Sequence, residues 1–134
     1  MRFAYSKKLS PPGLLLPTFF RRGGSQVSLT VECKIDTGAD MTAIPLELKS
    51  RLKIKDFTLR SCKGALDKEY RTVSTCFIEY SFDGKNFSEI EVLATARPNV
   101  LLGRDILNGF VLTANGPEQF FEIQQTTGKK SFQS

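Results

Sequence analysis

The sequence predicts a mainly β protein, closed or sandwich-like, with two short helices. Two alternating stretches lead to that reading. Val27, Leu29, Val31, Cys33 and Ile35 alternate with Ser28, Thr30, Glu32 and Lys34. Cys76, Ile78, Tyr80 and Phe82 alternate with Phe77, Glu79 and Ser81. A period of two is the mark of a half-buried strand. The third observation is punctuation: Gly23-Gly24, Asp83-Gly84 and Asn115-Gly116 break the apolar runs where a chain would reverse.

The elements follow in order. Leu14 to Phe20 is apolar and β-prone, and Arg22-Gly23-Gly24-Ser25 turns the chain into the Val27–Ile35 strand. Pro45 before Leu46 to Leu52 predicts a short helix, since proline is tolerated in a first turn. Phe57 to Cys62 and Tyr70 to Thr75 read as strands around Lys63 to Lys68. Asp83-Gly84 joins the Cys76–Phe82 strand to Phe87–Ala94 as a hairpin. Val100-Leu101-Leu102 is a short buried strand entering Gly103. Asp105 to Asn108 is about one helical turn, with Gly109 expected as a left-handed cap. Phe110–Thr113 and Gln119–Gln124 flank a last hairpin at Asn115-Gly116-Pro117.

Composition narrows the function. A chain of 134 residues, 40% hydrophobic and 25% charged, fits one globular domain with a core of its own. Eleven Phe and no Trp make phenylalanine a main core filler. The net charge of +5 is spread over Lys7-Lys8, Arg21-Arg22, Lys49–Lys55 and Lys129-Lys130, which reads as a solvated surface rather than a specific nucleic-acid site. The absence of histidine removes Ser-His-Asp and Cys-His catalysis and His-based metal sites. Cys33, Cys62 and Cys76 form no C-x-x-C pair and read as reduced, buried thiols, so a cytoplasmic location is expected. No apolar run is long enough to cross a bilayer as a helix. Pro11, Pro12 and Pro17 interrupt the leucines near the start, so no signal peptide is expected.

One stretch needs a chemical explanation. The alternating strand delivers the chain to Asp36 in Ile35-Asp36-Thr37-Gly38-Ala39-Asp40. A carboxylate at the inner end of a buried strand is costly unless hydrogen-bonded, paired or neutralised. Thr37 adds a hydroxyl, and Gly38 a backbone that can turn sharply. A loop aspartate capping its own turn would read the same.

The context goes further. Hydrophobic strand, then Asp36-Thr37-Gly38-Ala39-Asp40, then much later Val100-Leu101-Leu102-Gly103-Arg104-Asp105, resembles the retropepsin-like aspartic proteases, over about Val27 to Ile123. The resemblance implies a closed β-barrel of the acid-protease type with one or two short helices. It assigns catalysis to Asp36, and dyad support and dimer contacts to Thr37 and Gly38. Asp40 and Arg104 become an ion pair that holds the loop. Substrate contacts fall to Ala39, Asp40 and a β-hairpin flap at Lys63–Lys68, with Gly64, Ala65 and Leu66 at its tip. That flap has a single glycine where viral relatives are glycine-rich, which implies a stiffer or reshaped tip.

Elementary chemistry agrees with the resemblance. A hydrolase without His, metal or activated Ser needs paired carboxylates, which share one proton because two close ones cannot both ionise easily. One Asp-Thr-Gly per chain means that the second carboxylate comes from a second copy. The expected partners are therefore the chain itself, as a homodimer, and a peptide or protein substrate, with no cofactor, no metal, no specific nucleic acid and no membrane. Two alternatives remain: a catalytically silent, dimeric peptide-binding module of the same fold, and one half-site of a heterodimer. The domain is expected over 14–125, between an N-terminal extension at 1–13 and a polar tail at 126–134. Starting at Met1, the chain reads as a free-standing protein rather than an excised viral domain.

Overall fold

The computed structural model describes residues 1–62 and 69–125, the side chain of Cys62 apart. The mainly β fold expected of the sequence is the one that forms. In chain order the elements are β1 (Arg2–Ala4), β2 (Leu15–Arg21), β3 (Leu29–Ile35), β4 (Ala43–Pro45), α1 (Leu46–Arg51), β5 (Thr58–Cys62), β6 (Arg71–Ser81), β7 (Ser88–Thr95), β8 (Leu101–Leu102), α2 (Arg104–Leu107), β9 (Phe110–Asn115) and β10 (Phe120–Gln125).

The larger sheet runs β2-β3-β8-β4-β7-β6-β5, and a further β2–β6 pairing turns six of these strands into a ring. The ring is narrowest at β8, which is two residues long and meets β4 only through Ala43 and Leu101. Two pairings in it are parallel, β3–β8 and β4–β7. The strand β5 hangs on β6 as the outer member of a hairpin. A second sheet, β1-β10-β9, is made by the two ends of the chain. Phe3 of β1 stacks on Phe121 of β10 at 5.3 Å, so part of the segment expected as an extension shares the core.

The core explains why the strands sit where they do. On β2, Leu16, Thr18 and Phe20 point inward with no exposed surface, alternating with Leu15, Pro17 and Phe19. Leu16 and Phe20 join Cys33, Ile44, Ile78, Val92, Leu102 and Phe121 in one core cluster. Burial of such apolar surface, at about 25 cal/mol per Å², is the main stabilising term of the protomer. Burial pushes the Cys33 thiol up to about 12, so this cysteine is an inert hydrophobe. Cys33 and Cys76 are both free and buried.

Two local expectations are corrected. The strand expected from Val27 starts at Leu29, and Val27 is exposed. The Ser25 hydroxyl accepts the Val27 N–H at 3.1 Å, which prolongs the glycine turn into the expected strand. Gly109 does not take a left-handed conformation. The helix α2 closes instead at Asn108 in a right-handed conformation, with the Gly109 N–H donating to Ile106 O at 3.1 Å. A four-residue helix ends in a tight i to i−3 turn and needs no left-handed residue.

Candidate active site

Asp36 directly follows Ile35, the last residue of β3, where β3 runs parallel to β8. Its N–H donates to the Leu102 carbonyl at 2.9 Å, which fixes the backbone at the seam between the two strands. The chain then turns: the Gly38 N–H donates to Asp36 Oδ1 at 3.0 Å, and the Ala39 N–H to the Asp36 carbonyl at 3.2 Å. Asp36 is half-buried. Among the described residues, Oδ2 of its carboxylate accepts no hydrogen bond. Thr37 is exposed, and its hydroxyl has no partner among the described residues.

A second loop, Gly103–Ile106, holds the first in place. The Arg104 N–H donates to Ala39 O at 2.8 Å, its Nη1 donates to Thr37 O at 3.0 Å, and its Nη2 reaches Asp40 Oδ1. The Asp40 side chain is 83% exposed and that of Arg104 45%, so the ion pair itself adds little to the stability of the protomer. What Arg104 fixes is the path of the loop backbone. Gly103 is where the two loops meet: a Cβ there would lie 2.7 Å from the Met41 carbonyl carbon and 3.0 Å from Ala39 O. Only glycine allows this approach.

Sequence reasoning missed the residues that lock the two loops together. Thr42 is fully buried. Its N–H and hydroxyl donate to the Asp105 carboxylate at 2.9 and 2.8 Å, and its Oγ1 accepts the Gly103 N–H at 3.0 Å. Asp105 also accepts the Ile106 N–H at 2.9 Å. The signal was there: a threonine in an apolar run, Thr42-Ala43-Ile44, must find an acceptor if it is buried.

The site residues expected from the sequence thus fall into two groups. Asp36, Thr37, Gly38, Ala39, Asp40 and Arg104 share one double loop at the β3–β8 seam. Gly64, Ala65 and Leu66 lie outside the described residues. No three His, Cys, Asp or Glu side chains among the described residues are grouped to hold a metal ion.

Solved structures show what this fold is similar to. The EIAV protease, in complex with the inhibitor HBY-793, superposes with a TM-score of 0.54 at 18% identity, over 71% of this chain and 85% of that one. The fold is retropepsin-like. The simian foamy virus protease aligns more loosely, with a TM-score of 0.47 at 17% identity, over 69% of this chain and 91% of its own. At these identities the likeness is one of fold. No protein-family model and no curated protein matches the chain.

On this retropepsin-like fold, the surface beside the double loop is open. A groove of about 470 Å³ joins Thr37 and Ile35 to Leu112 and Ala114 of β9 and to the Ser10-Pro11 arm. The strand β9 pairs with β10 on one side only, and its other edge is unpaired among the described residues. Val111 on that strand is 50% exposed. Among the described residues, no helix is long and apolar enough to cross a membrane.

Proposed function

We propose that this chain is an aspartic endopeptidase, active as a homodimer, in which the Asp36 carboxylates of two protomers activate one water molecule. The observation that carries the reading is the half-satisfied carboxylate. Asp36 is pinned through its backbone and through Oδ1, while Oδ2 is left open on a retropepsin-like fold.

One carboxylate is half of the chemistry. Two brought together share a proton; the ionised member takes a proton from water as it attacks the peptide carbonyl, and the protonated member donates to the carbonyl oxygen. The tetrahedral intermediate then collapses as the amine leaves with a proton from the dyad. Thr37 and the open edge of β9 lie on one groove, and this is the face we assign to the twofold axis. An unpaired strand edge is a template for its own copy, and a C2 interface lets each β9 meet its twin antiparallel. Ala39 and Asp40 would then line the cleft, with Gly64, Ala65 and Leu66 closing over an extended peptide bound by main-chain hydrogen bonds. The reading includes a cytoplasmic location and no cofactor.

The test is digestion of a peptide library by the purified chain at concentrations spanning its dimerisation, followed in parallel by sedimentation. Cleavage should rise with the dimer fraction. Full hydrolysis by a chain that sediments only as monomer would refute the shared site, and purified chain that dimerises but cleaves nothing at any pH from about 4 to 8 would favour the silent binding module.

A further inference from the structure

A groove of about 600 Å³ lies where the β2–β3 turn, the α1–β5 link and β6 meet. It shares no residue with the double loop around Asp36. Arg22, Lys53 and Lys55 line it together with the rings of Phe57 and Phe77, and Asp56 is its one acid. A shallower concavity continues from it past Lys53 and Lys55 to Lys49.

Two features separate this surface from an ordinary solvated one. The first is unpaired charge. Arg2, Lys8, Arg21, Arg60 and Arg104 each meet a carboxylate. Among the described residues, Arg22, Lys49, Lys53 and Lys55 meet none; Lys7, Lys34, Arg51, Lys85 and Arg97 also lack such a partner, but the first-named four gather along two adjoining concavities. The second is exposed aromatic surface in the same place. Phe57 is 61% exposed and Phe77 49%, while Lys49 Nζ stands 5.8 Å from the centre of the Phe57 ring. Lys53 also occupies the left-handed residue after α1, with φ of 61°, a conformation that glycine adopts at least cost.

The strand edge next to the groove decides what would bind there. Phe57 leads directly into β5, which begins at Thr58 and pairs only with β6 among the described residues. Thr58 to Ser61 are exposed. An extended peptide can add to such an edge through main-chain hydrogen bonds. A nucleic acid could use the cations and stack on the rings, but it cannot continue a β-ladder.

We infer that this groove and the free edge of β5 form a binding site for an extended, acidic protein segment that carries apolar side chains. Its carboxylates would face Arg22, Lys53 and Lys55, its apolar side chains would cover Phe57 and Phe77, and its backbone would extend the sheet. The site does not depend on the protease reading. On an active protease it would hold a part of the substrate remote from the scissile bond.

Binding is measured by fluorescence anisotropy with the full chain carrying Asp36→Asn, so that cleavage cannot confuse the result. The probe is a labelled peptide of about ten residues with Glu alternating with Val and Phe. Its Gln counterpart and a single-stranded oligo(dT) of matched charge are the comparisons. The acidic peptide should bind more tightly than the Gln peptide, and about 0.3 M salt should weaken it. Lys53→Glu with Lys55→Glu should weaken it by about tenfold or more. Equal affinity for the Glu and Gln peptides, or unchanged affinity in the charge-reversed chain, would overturn the proposal. Tighter binding of oligo(dT), lost in the same variant, would overturn it in favour of a nucleic-acid site. If the charge-reversed chain does not fold, Phe57→Ser on the exposed ring takes its place and must weaken the peptide; no change would refute the site.

Discussion

Asp36 and Asp83 both sit in turns within two residues of a glycine, and their carboxylates are used in opposite ways. Asp83, between β6 and β7, is saturated. It accepts the N–H groups of Lys85 and Asn86 at 2.8 Å each, the Asn86 side-chain amide at 2.8 Å and the Ser81 hydroxyl at 2.8 Å. Those donors hold its pKa far below the usual carboxylate range, the Asn86 and Lys85 backbone groups foremost. Asp36 accepts one N–H, from Gly38. The bland reading of an aspartate before a glycine, a residue that caps its own turn, is therefore true of Asp83. At Asp36 the turn is held from elsewhere, by Leu102 O, Arg104 and the Thr42–Asp105 lock, and the carboxylate is left underused. Among the described residues, the backbone of Asp36 is thus well supported while one of its carboxylate oxygens accepts no hydrogen bond, which is the feature the proposed dyad uses.

Exchanging the two acids for amides gives the largest contrast. Asp36→Asn should lower peptide cleavage by about 10⁴-fold or more, with folding stability changed by less than about 1 kcal/mol. Asp83→Asn should leave cleavage per folded dimer unchanged and lower stability instead. Initial rates and urea midpoints on both variants check this; comparable activity losses in the two would erase the distinction. Glycines give the next contrast. Gly103→Ala forces a Cβ against the Met41 backbone, which no rotamer can relieve, and should cost about 3 kcal/mol or more. Gly84→Ala, at φ of 77° with the Phe19 ring 3.2 Å away, should cost about 1–2 kcal/mol. A reversed order in the urea midpoints would mean that the double loop is slack.

The lock behind Asp36 comes third. Asp105→Ala strands the N–H and hydroxyl of fully buried Thr42, at about 1–3 kcal/mol. Cleavage should fall further than stability alone dictates, because the loop that aims Asp36 loosens. Equal activity per folded molecule in the variant would show that the lock serves folding only.

How much of this was legible in the residues depends on the range of the interaction. Alternation placed β3 and β6, and Asp83-Gly84 placed the β6–β7 hairpin; β2 was read from its apolar, β-prone run, and its period of two at Leu16, Thr18 and Phe20 shows only in the fold. The approach of Asp36-Thr37-Gly38 to Gly103-Arg104 was legible only through resemblance, since nothing local to either stretch records the other. The Thr42–Asp105 contact, 63 residues apart in sequence, was not seen at all. Boundaries failed where a side chain competed with the backbone, as Ser25 does at Val27. The pairing of Arg2–Ala4 with β10 could not be read either, since a three-residue strand has too few residues to show a period.

The smallest effect tests the same comparison through pH. A carboxyl group whose folded-state pKa is depressed contributes stability that is fully present above its unfolded pKa, about 3.9 for Asp, and that is lost as pH falls through the folded value. Asp83 is such a group, so the gap in urea midpoint between the parent chain and Asp83→Asn should be flat above about pH 5 and narrow as pH drops below about 4. Glu91 titrates in the same sense, because hydrogen bonds from Arg60 and Thr75 lower its pKa. It keeps its effect in both chains and cancels from the gap. A gap that stays constant down to about pH 2.5 would mean that the donors around Asp83 stabilise its neutral form as well as its charged one. The contrast with Asp36 would then rest on the number of donors alone, and no longer on charge.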